Sequence, residues 1–597
     1  MTQFLTKLLY ITRGNHKSLI AMLFLFILIS GLEVFGTGMI SPFIAIAISP
    51  DAIKNIDWLN FIYKQLNFNS ERQFLIFLGL VVVIAFCLKS FLAFNAQKTV
   101  FKFSYGLKRK LSCKLLKLYI KAPYSYHLRI NSATLIQNLI ETTDAVSIGI
   151  VSTFLTLISN TVIVLALMLL LIKTNAIALI LITFLLLISF GLLHPMKERL
   201  ARWNKEGFHA YGEMIRITNH GLGGLKETRV IGCEPYFEYQ MEEQSGIYAK
   251  STTLTSAYGN LPRFVLEPLM MSFLIGFTFL FINLNQGETQ SLTGVLGIFA
   301  LALVRLLPAI GSLITGINVI RGNSYSLDRL FFDLKELEKE KLITDFDAAS
   351  HSHSLLPSPN QQTFQFLDEI ILDKLTFQYP NTTRNILEEI SLSIRKGDSI
   401  GLIGKSGAGK TTLVDIILGL FIPQFGDIKV DGVSVYSNLR AWQNMLGYVP
   451  QSIFLIDDTL ERNIAFGVPD HLIDQNKLKK AIQMAQLSEV VEQLPDGVKT
   501  IVGERGVLLS GGQRQRVGIA RVLYHEREIL VFDEATAALD TETEHLITEA
   551  TKALAGNKTI IIIAHRLSTI EHCDCIYQLE QGRILKSGSY LEVIVGR

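Results

Sequence analysis

Residues Gly404-Lys405-Ser406-Gly407-Ala408-Gly409-Lys410-Thr411 read G-x-x-x-x-G-K-T, a spacing suited to cradling phosphate oxygens. The glycines let backbone N–H groups turn inward onto an anion, and a helix beginning at the loop's end adds its positive dipole end. Lys410 can reach β- and γ-phosphates and the Thr411 hydroxyl can ligate Mg2+; Gly404, Ser406, Gly407, Gly409 and Thr412 complete the nucleotide-binding set. The apolar run 399–403 reads as a strand and 412–418 has helical spacing, so the loop lies between strand and helix. Downstream, Ile529-Leu530-Val531-Phe532-Asp533 is an apolar strand ending in an acid able to hold Mg2+. Glu534 follows directly, placed to orient and deprotonate an attacking water. Between these motifs, Leu509-Ser510-Gly511-Gly512-Gln513 opens a helix and offers a second phosphate-binding N-terminus. One chain cannot easily place both glycine loops on one nucleotide.

Together these residues resemble the ATP-binding cassette (ABC) family, whose LSGGQ signature is highly specific. The resemblance implies that Ser510, with Gly511, Gly512 and Gln513, caps the γ-phosphate bound to a partner cassette. It makes Tyr379 the ring that stacks on adenine, and Gln451 in Tyr448-Val449-Pro450-Gln451 the Q-loop residue, with catalytic and Mg2+-ligating roles beside Thr411 and Asp533. Asp540 in Ala538-Leu539-Asp540 becomes the D-loop acid, with Ala537 where Ser is more usual. His565 in Ala564-His565-Arg566 becomes the switch histidine at the γ-phosphate. Gly503-Glu504-Arg505-Gly506 looks like the segment that exporters press against coupling helices. A single P-loop then implies a half-transporter that pairs, most simply as a homodimer, with ATP and Mg2+ as cofactors.

At 597 residues the chain is too long for one domain, and its hydrophobicity is uneven. Residues 1–340 are expected to form an α-helical six-span transmembrane domain of exporter type. Residues 341–363 read as a linker, and 364–597 as an α/β P-loop ATP-binding cassette domain. A net charge of +3 gives no nucleic-acid footprint. The five cysteines show no disulfide-framework spacing, and Cys573-Asp574-Cys575 would make a poor metal site with two ligands on one strand. The first apolar run is too long for a cleavable signal sequence, so none is expected.

Six apolar stretches suit membrane spans: 19–48, 74–96, 146–172, 176–193, 264–284 and 291–320. Lysines and arginines crowd the N-terminal tail and the two long connections after the second and fourth stretches, which places both termini in the cytoplasm. Pro123 predicts a short element over 122–130, with the helix resuming near Ser132, and a matching break is expected at 209–218. The resemblance to exporters of the ABC family implies that both breaks become coupling helices. Residues 51–72 read either as an interfacial amphipathic helix or as an outer helix packed on its neighbours.

Charges within spans are costly and point to function. Lys89, Arg263 and Arg305 are expected to line a basic cavity for substrate, the alternative being pairing with Glu33 or Glu267. With the outer segment, these cations resemble the PglK-type lipid-linked oligosaccharide flippases, although Lys89 stands where Arg is expected. The implied cargo is a polyprenyl-pyrophosphate oligosaccharide or another amphiphilic anion, moved across a bacterial inner membrane; a multidrug, lipid A or peptide exporter is the alternative.

Overall fold

A computed structural model describes residues 2–13, 16–48, 53, 57–66, 68, 70–174, 191, 196–284, 306, 308–344, 365–380, 382–533, 549, 552, 554–564 and 566–595. The chain divides into two units, Met1–Ala122 with Ile130–Glu340, and Pro123–Arg129 with Lys341–Arg597.

The second unit holds ten strands among the described residues. They are β1 (Glu369–Phe377), β2 (Leu387–Arg395), β3 (Ser399–Ile403), β4 (Phe425–Val430), β5 (Val433–Ser434), β6 (Leu446–Val449), β7 (Ile529–Asp533), β8 (Thr559–Ile563), β9 (Cys575–Glu580) and β10 (Arg583–Gly588). An antiparallel sheet has the order β2-β1-β4-β5, and a second sheet the order β10-β9-β3-β8-β7-β6. In the second, β9, β3, β8, β7 and β6 all run parallel. The reason lies in composition: β7 and β8 are apolar almost throughout and every residue of both is buried, as parallel strands covered on both faces require. The six-residue helix Tyr124–Arg129 belongs to this unit, with the Tyr124 ring edge-on to Phe421 at 5.6 Å.

In the first unit, three helices among the described residues are long and apolar enough to cross a membrane, over Lys17–Ile40, Glu71–Lys121 and Ser132–Leu169. They overlap the first three expected spans, and the second, 74–96, lies wholly within Glu71–Lys121. The fifth lies in the helix Glu234–Leu284. The fourth, apart from Gly191, lies outside the described residues, as does the sixth before residue 308, apart from Leu306.

The helix Glu71–Lys121 is capped by Ser70, whose side chain accepts from the Gln73 N–H, and ends where Pro123 forces Ala122 into an extended conformation. Asn131 caps the restart at Ser132. The second break is not at 209–218 as expected. Helix Met196–Gly223 runs straight through that stretch, and the interruption lies at the short helix Leu225–Ile231. Gly212, the one helix-weakening residue there, instead permits close packing: a Cβ on it would sit 2.8 Å from Gln137 Oε1. The real stop is Gly232, left-handed at φ 74°, where its own N–H and that of Cys233 both donate to the Thr228 carbonyl.

On the segment after the first span, helix Asp57–Gln65 buries Leu59 among Ile46, Ile53, Phe74 and Leu78 while leaving Trp58 and Phe61 exposed. One face packs on neighbouring helices and the other presents aromatic surface.

Of the three cations expected to bind substrate, Lys89 pairs with Glu33, which is almost wholly buried. The lone-cation reading of Lys89 therefore gives way to the paired one, because a buried carboxylate on the facing helix compensates its charge. The Arg263 side chain and Arg305 lie outside the described residues. Glu33→Gln or Lys89→Met alone should destabilise the protein by roughly 3–5 kcal/mol, since each strands a buried charge. The double variant should recover most of the loss. Thermal unfolding of the purified variants in detergent measures this, and additive losses would contradict the pairing.

Candidate functional site

Four neighbouring parallel strands end at one edge of the larger sheet. Strand β3 pairs Leu402 with Ile563 of β8, and β7 pairs Asp533 with that same Ile563. Strand β6 then pairs Val449 with Phe532. The P-loop leaves β3, Asp533 closes β7, and Gln451 follows β6 by two residues. Neighbouring strands are about 4.8 Å apart, so the start of the P-loop and Asp533 stand about 10 Å from each other across β8. This is the carboxyl edge, where ligands of open α/β sheets bind.

The loop's shape depends on glycine at two positions. Gly404 (φ 149°) would bring a Cβ to 2.3 Å from the Leu579 carbonyl oxygen, and Gly409 (φ 102°) would bring one to 2.8 Å from Leu387 Cδ2. Lys405, Ser406 and Gly407 form an exposed crest, and Lys410 opens the helix Lys410–Ile417. Lys410 is 6% exposed, and its ammonium donates to the carbonyls of Gly404 at 2.7 Å and Lys405 at 3.3 Å. A buried cation folded over its own loop is a cradle shaped for an anion that would replace those carbonyls. Thr411 is exposed beside it, while the Thr412 hydroxyl meets the Tyr379 hydroxyl at 3.0 Å. Tyr379 makes T-shaped contacts with Phe377 and Phe421 at 5.2 and 5.4 Å between ring centroids.

Asp533 is 7% exposed and accepts a hydrogen bond from the Tyr448 hydroxyl at 3.1 Å. Burial, then the charge of Asp533, pushes the Tyr448 phenol well above its ordinary range. Burial and the same charge raise the Asp415 carboxyl to about 6. The Thr411 hydroxyl, Gln451 amide oxygen and Asp533 carboxylate are oxygen donors of the kind Mg2+ takes. Crowding of Asp415 with Asp533 leaves negative charge that a divalent cation would offset.

Ser510 caps the 14-residue helix Gly511–Tyr524 through a capping box. Its hydroxyl accepts from the Gln513 N–H at 3.2 Å, and its own N–H donates to Gln513 Oε1 at 2.8 Å. Ser510 and Gly511 are exposed, while Gly512 is buried. The structure thus gathers the P-loop, Asp533 and the Q-loop strand at one edge, and orders the signature helix by its own cap. Glu534, Asp540 and His565 lie outside the described residues.

Sequence reasoning missed Asp415 and Tyr448. An acid inside the apolar run Leu413-Val414-Asp415-Ile416-Ile417 was a legible signal for the first. Nothing local marked Tyr448, because strand order is not written in the strand itself. A raised carboxyl pKa means stability present below the unfolded value of 3.8 and eroded as pH rises toward about 6. Asp415→Asn should therefore stabilise the metal-free protein above pH 6 by about 1 kcal/mol, after discounting for solvent screening of a partly exposed group. The advantage should vanish near pH 4. Melting in EDTA at both pH values checks it.

The ABC transporter family model matches residues 387–537, from β2 past Asp533. The chain is 31% identical over 490 residues to the ATP-dependent lipid A-core flippase of Ralstonia nicotianae, covering 81% of this chain and 79% of that protein. It is 30% identical to the flippase of the same description from Cupriavidus pinatubonensis, covering 81% and 80%, and 27% identical to that of Shewanella oneidensis, covering 88% and 85%. A solved structure described as a bacterial Atm1-family ABC exporter with ATP bound superposes with a TM-score of 0.74 at 23% identity, over 98% of this chain and 96% of that one. That likeness gives the exporter fold, a helical N-terminal part followed by the cassette. The family model and these relatives make the chain an ATPase coupled to transport, and it belongs to the ABC transporter family.

Proposed function

We propose that the chain is one half of a homodimeric, ATP-driven lipid flippase of the bacterial inner membrane, with its cassette and both termini in the cytoplasm. The reach of the likeness to lipid A-core flippases carries this reading. Residues 364–597 account for fewer than half of the 490 aligned, so the likeness extends into the half that must meet cargo. The cargo is a lipid with an anionic, glycosylated head, transferred from the inner to the outer leaflet. A polyprenyl-pyrophosphate oligosaccharide is the second reading, favoured by the exposed Trp58 and Phe61 of the outer helix. The pairing of Lys89 with Glu33 removes one of the three cations on which that reading leaned; Arg263 and Arg305 would then carry it.

In this account Lys410 releases the loop carbonyls to hold phosphate, and Gly404 to Thr412 with Tyr379 seat the nucleotide. Thr411, Gln451 and Asp533 would hold Mg2+, which when bound offsets charge on the phosphates. Glu534 takes the proton of the attacking water, while His565 and the partner's signature helix close over the γ-phosphate side.

Pairing is supported by two apolar surfaces that water would otherwise cover. Val230 and Ile231, on the short helix Leu225–Ile231, are 81% and 73% exposed, and the cassette exposes Phe454, Ile501, Val507 and Leu508 around Gly503–Gly506.

In proteoliposomes, lipid A-core glycolipid should stimulate ATP hydrolysis and change leaflet, whereas Glu534→Gln should lower turnover at least about tenfold. Equal stimulation by drugs or peptides, with no leaflet transfer of either glycolipid, would remove the lipid reading. Preferential transfer of a polyprenyl-pyrophosphate oligosaccharide would select the second. Mixing Lys410→Ala with Ser510→Ala chains should restore activity above either alone, because one interface of the mixed dimer stays intact. No gain with mixed dimers demonstrated would contradict independent two-chain sites.

A further inference from the structure

Strands β6 and β7 run parallel with Tyr448 opposite Val531 and Val449 opposite Phe532. Residues two apart on a strand share a face, so Tyr448, Val531 and Asp533 lie on one side of the sheet. Tyr448 stands diagonally behind Asp533, and its phenol spans that offset to place its hydroxyl 3.1 Å from Asp533 Oδ2. The carboxylate it meets is almost wholly buried, and closes the strand at the edge where the P-loop also begins. A terminal carboxylate has a broad, two-fold torsion of its own. A charge-assisted hydrogen bond to one oxygen selects an orientation of the carboxylate.

The same residue has a second connection. Gln451 follows Tyr448 by three positions, across Pro450, and the backbone between them leaves the sheet directly after Val449. Anything that pulls on the Q-loop therefore pulls on the strand that carries the phenol. Gly447, immediately before, lets the signature helix press on this strand: a Cβ there would lie 2.1 Å from Val522 Cγ1. Tyr448 thus sits where the Q-loop strand, the signature helix and the metal-holding acid meet.

We propose that Tyr448 is a positioning residue for ATP hydrolysis, its hydroxyl holding the Asp533 carboxylate in the orientation that receives the metal–nucleotide complex. It acts through Asp533 and touches no substrate itself. The inference rests on the ATP site and not on the cargo, and its test contains no cargo, so failure here leaves the lipid reading untouched.

Tyr448→Phe keeps the ring and its packing and removes the hydroxyl alone. Fluorescent ATP-analogue binding in EDTA reports whether the loop and fold survive, and should stay within about twofold of the parent protein, since the deleted hydrogen bond goes to the acid and not to the nucleotide. Mn2+ affinity, read by electron paramagnetic resonance with a non-hydrolysable ATP analogue present, should weaken about tenfold, the scale of a lost hydrogen bond to a charged group. In an Asp533→Asn background, Tyr448→Phe should add no further loss of Mn2+ affinity, because the two groups act as one unit. Unchanged Mn2+ affinity, an equal fall in metal-free nucleotide affinity, or additive losses in the double variant would each overturn the proposal.

Discussion

The ladder β3-β8-β7-β6 is the constraint on which the ATP site depends. Each pairing in it is parallel and in fixed register, so the P-loop, Asp533 and the Q-loop all emerge at one edge. Side chains alternate across a strand, and a slip of one residue in β7 would turn Asp533 to the opposite face. Register is held by burial: Val531, Ile561 and Leu402 lie in one hydrophobic cluster, and Leu530, Phe532, Ile560 and Ile562 in another, one on each side of the sheet. The chemistry of the edge is therefore positioned by apolar residues that take no part in it.

Close backbone approach transmits that placement. Besides Gly447 against Val522, Gly518 of the signature helix would carry a Cβ 2.5 Å from Ile453 Cδ1, just beyond Gln451. The helix whose N-terminus carries Ser510 is thus pressed onto the strand that leads into the Q-loop. Packed interiors do not deform continuously, so movement of one of these parts must shift the others.

The first unit follows a different rule, because lipid gives no hydrophobic reward for helix–helix contact. Its helices approach at small residues: a Cβ on Gly149 would meet Asn323 Nδ2 at 2.9 Å, and one on Gly316 would meet Leu157 Cδ2 at 2.7 Å. Beyond the expected spans, polar groups join the helical extensions. Arg329 Nε donates to Asn138 Oδ1 at 2.8 Å, and Asn138 Nδ2 donates to Asp333 Oδ2 at 2.7 Å, which also accepts from the Tyr119 hydroxyl at 3.1 Å. Burial raises the Asp333 carboxyl despite the nearby Arg329 charge, so desolvation outweighs the pair. Asn138 lies where the helix from Ser132 opens into π turns, over Asn138–Thr142 and Ala145–Ser152.

Sequence alone determined the ATPase, because phosphate binding demands particular residue types at fixed local spacing: Gly404, Gly409, Lys410 and the Ser510 cap are all readable within a few neighbouring positions. It also determined the break at Pro123, since proline's effect on the preceding residue is local. The second break lies beyond the expected 209–218, at Leu225–Ile231, and the close packing of Gly212 on Gln137 is a contact between distant residues that local spacing does not show. Lys89 could be seen as a costly charge, yet its pairing with Glu33, 56 positions away, depended on which helices face each other. Tyr448 carried no local mark as a neighbour of Asp533, because strand order and register are decided by burial across the whole sheet; Asp415 stood out as an acid in an apolar run, but not as a neighbour of Asp533. Local geometry names the chemistry of this chain; only the tertiary structure decides which charges meet, because contact between distant residues is a property of packing and not of spacing.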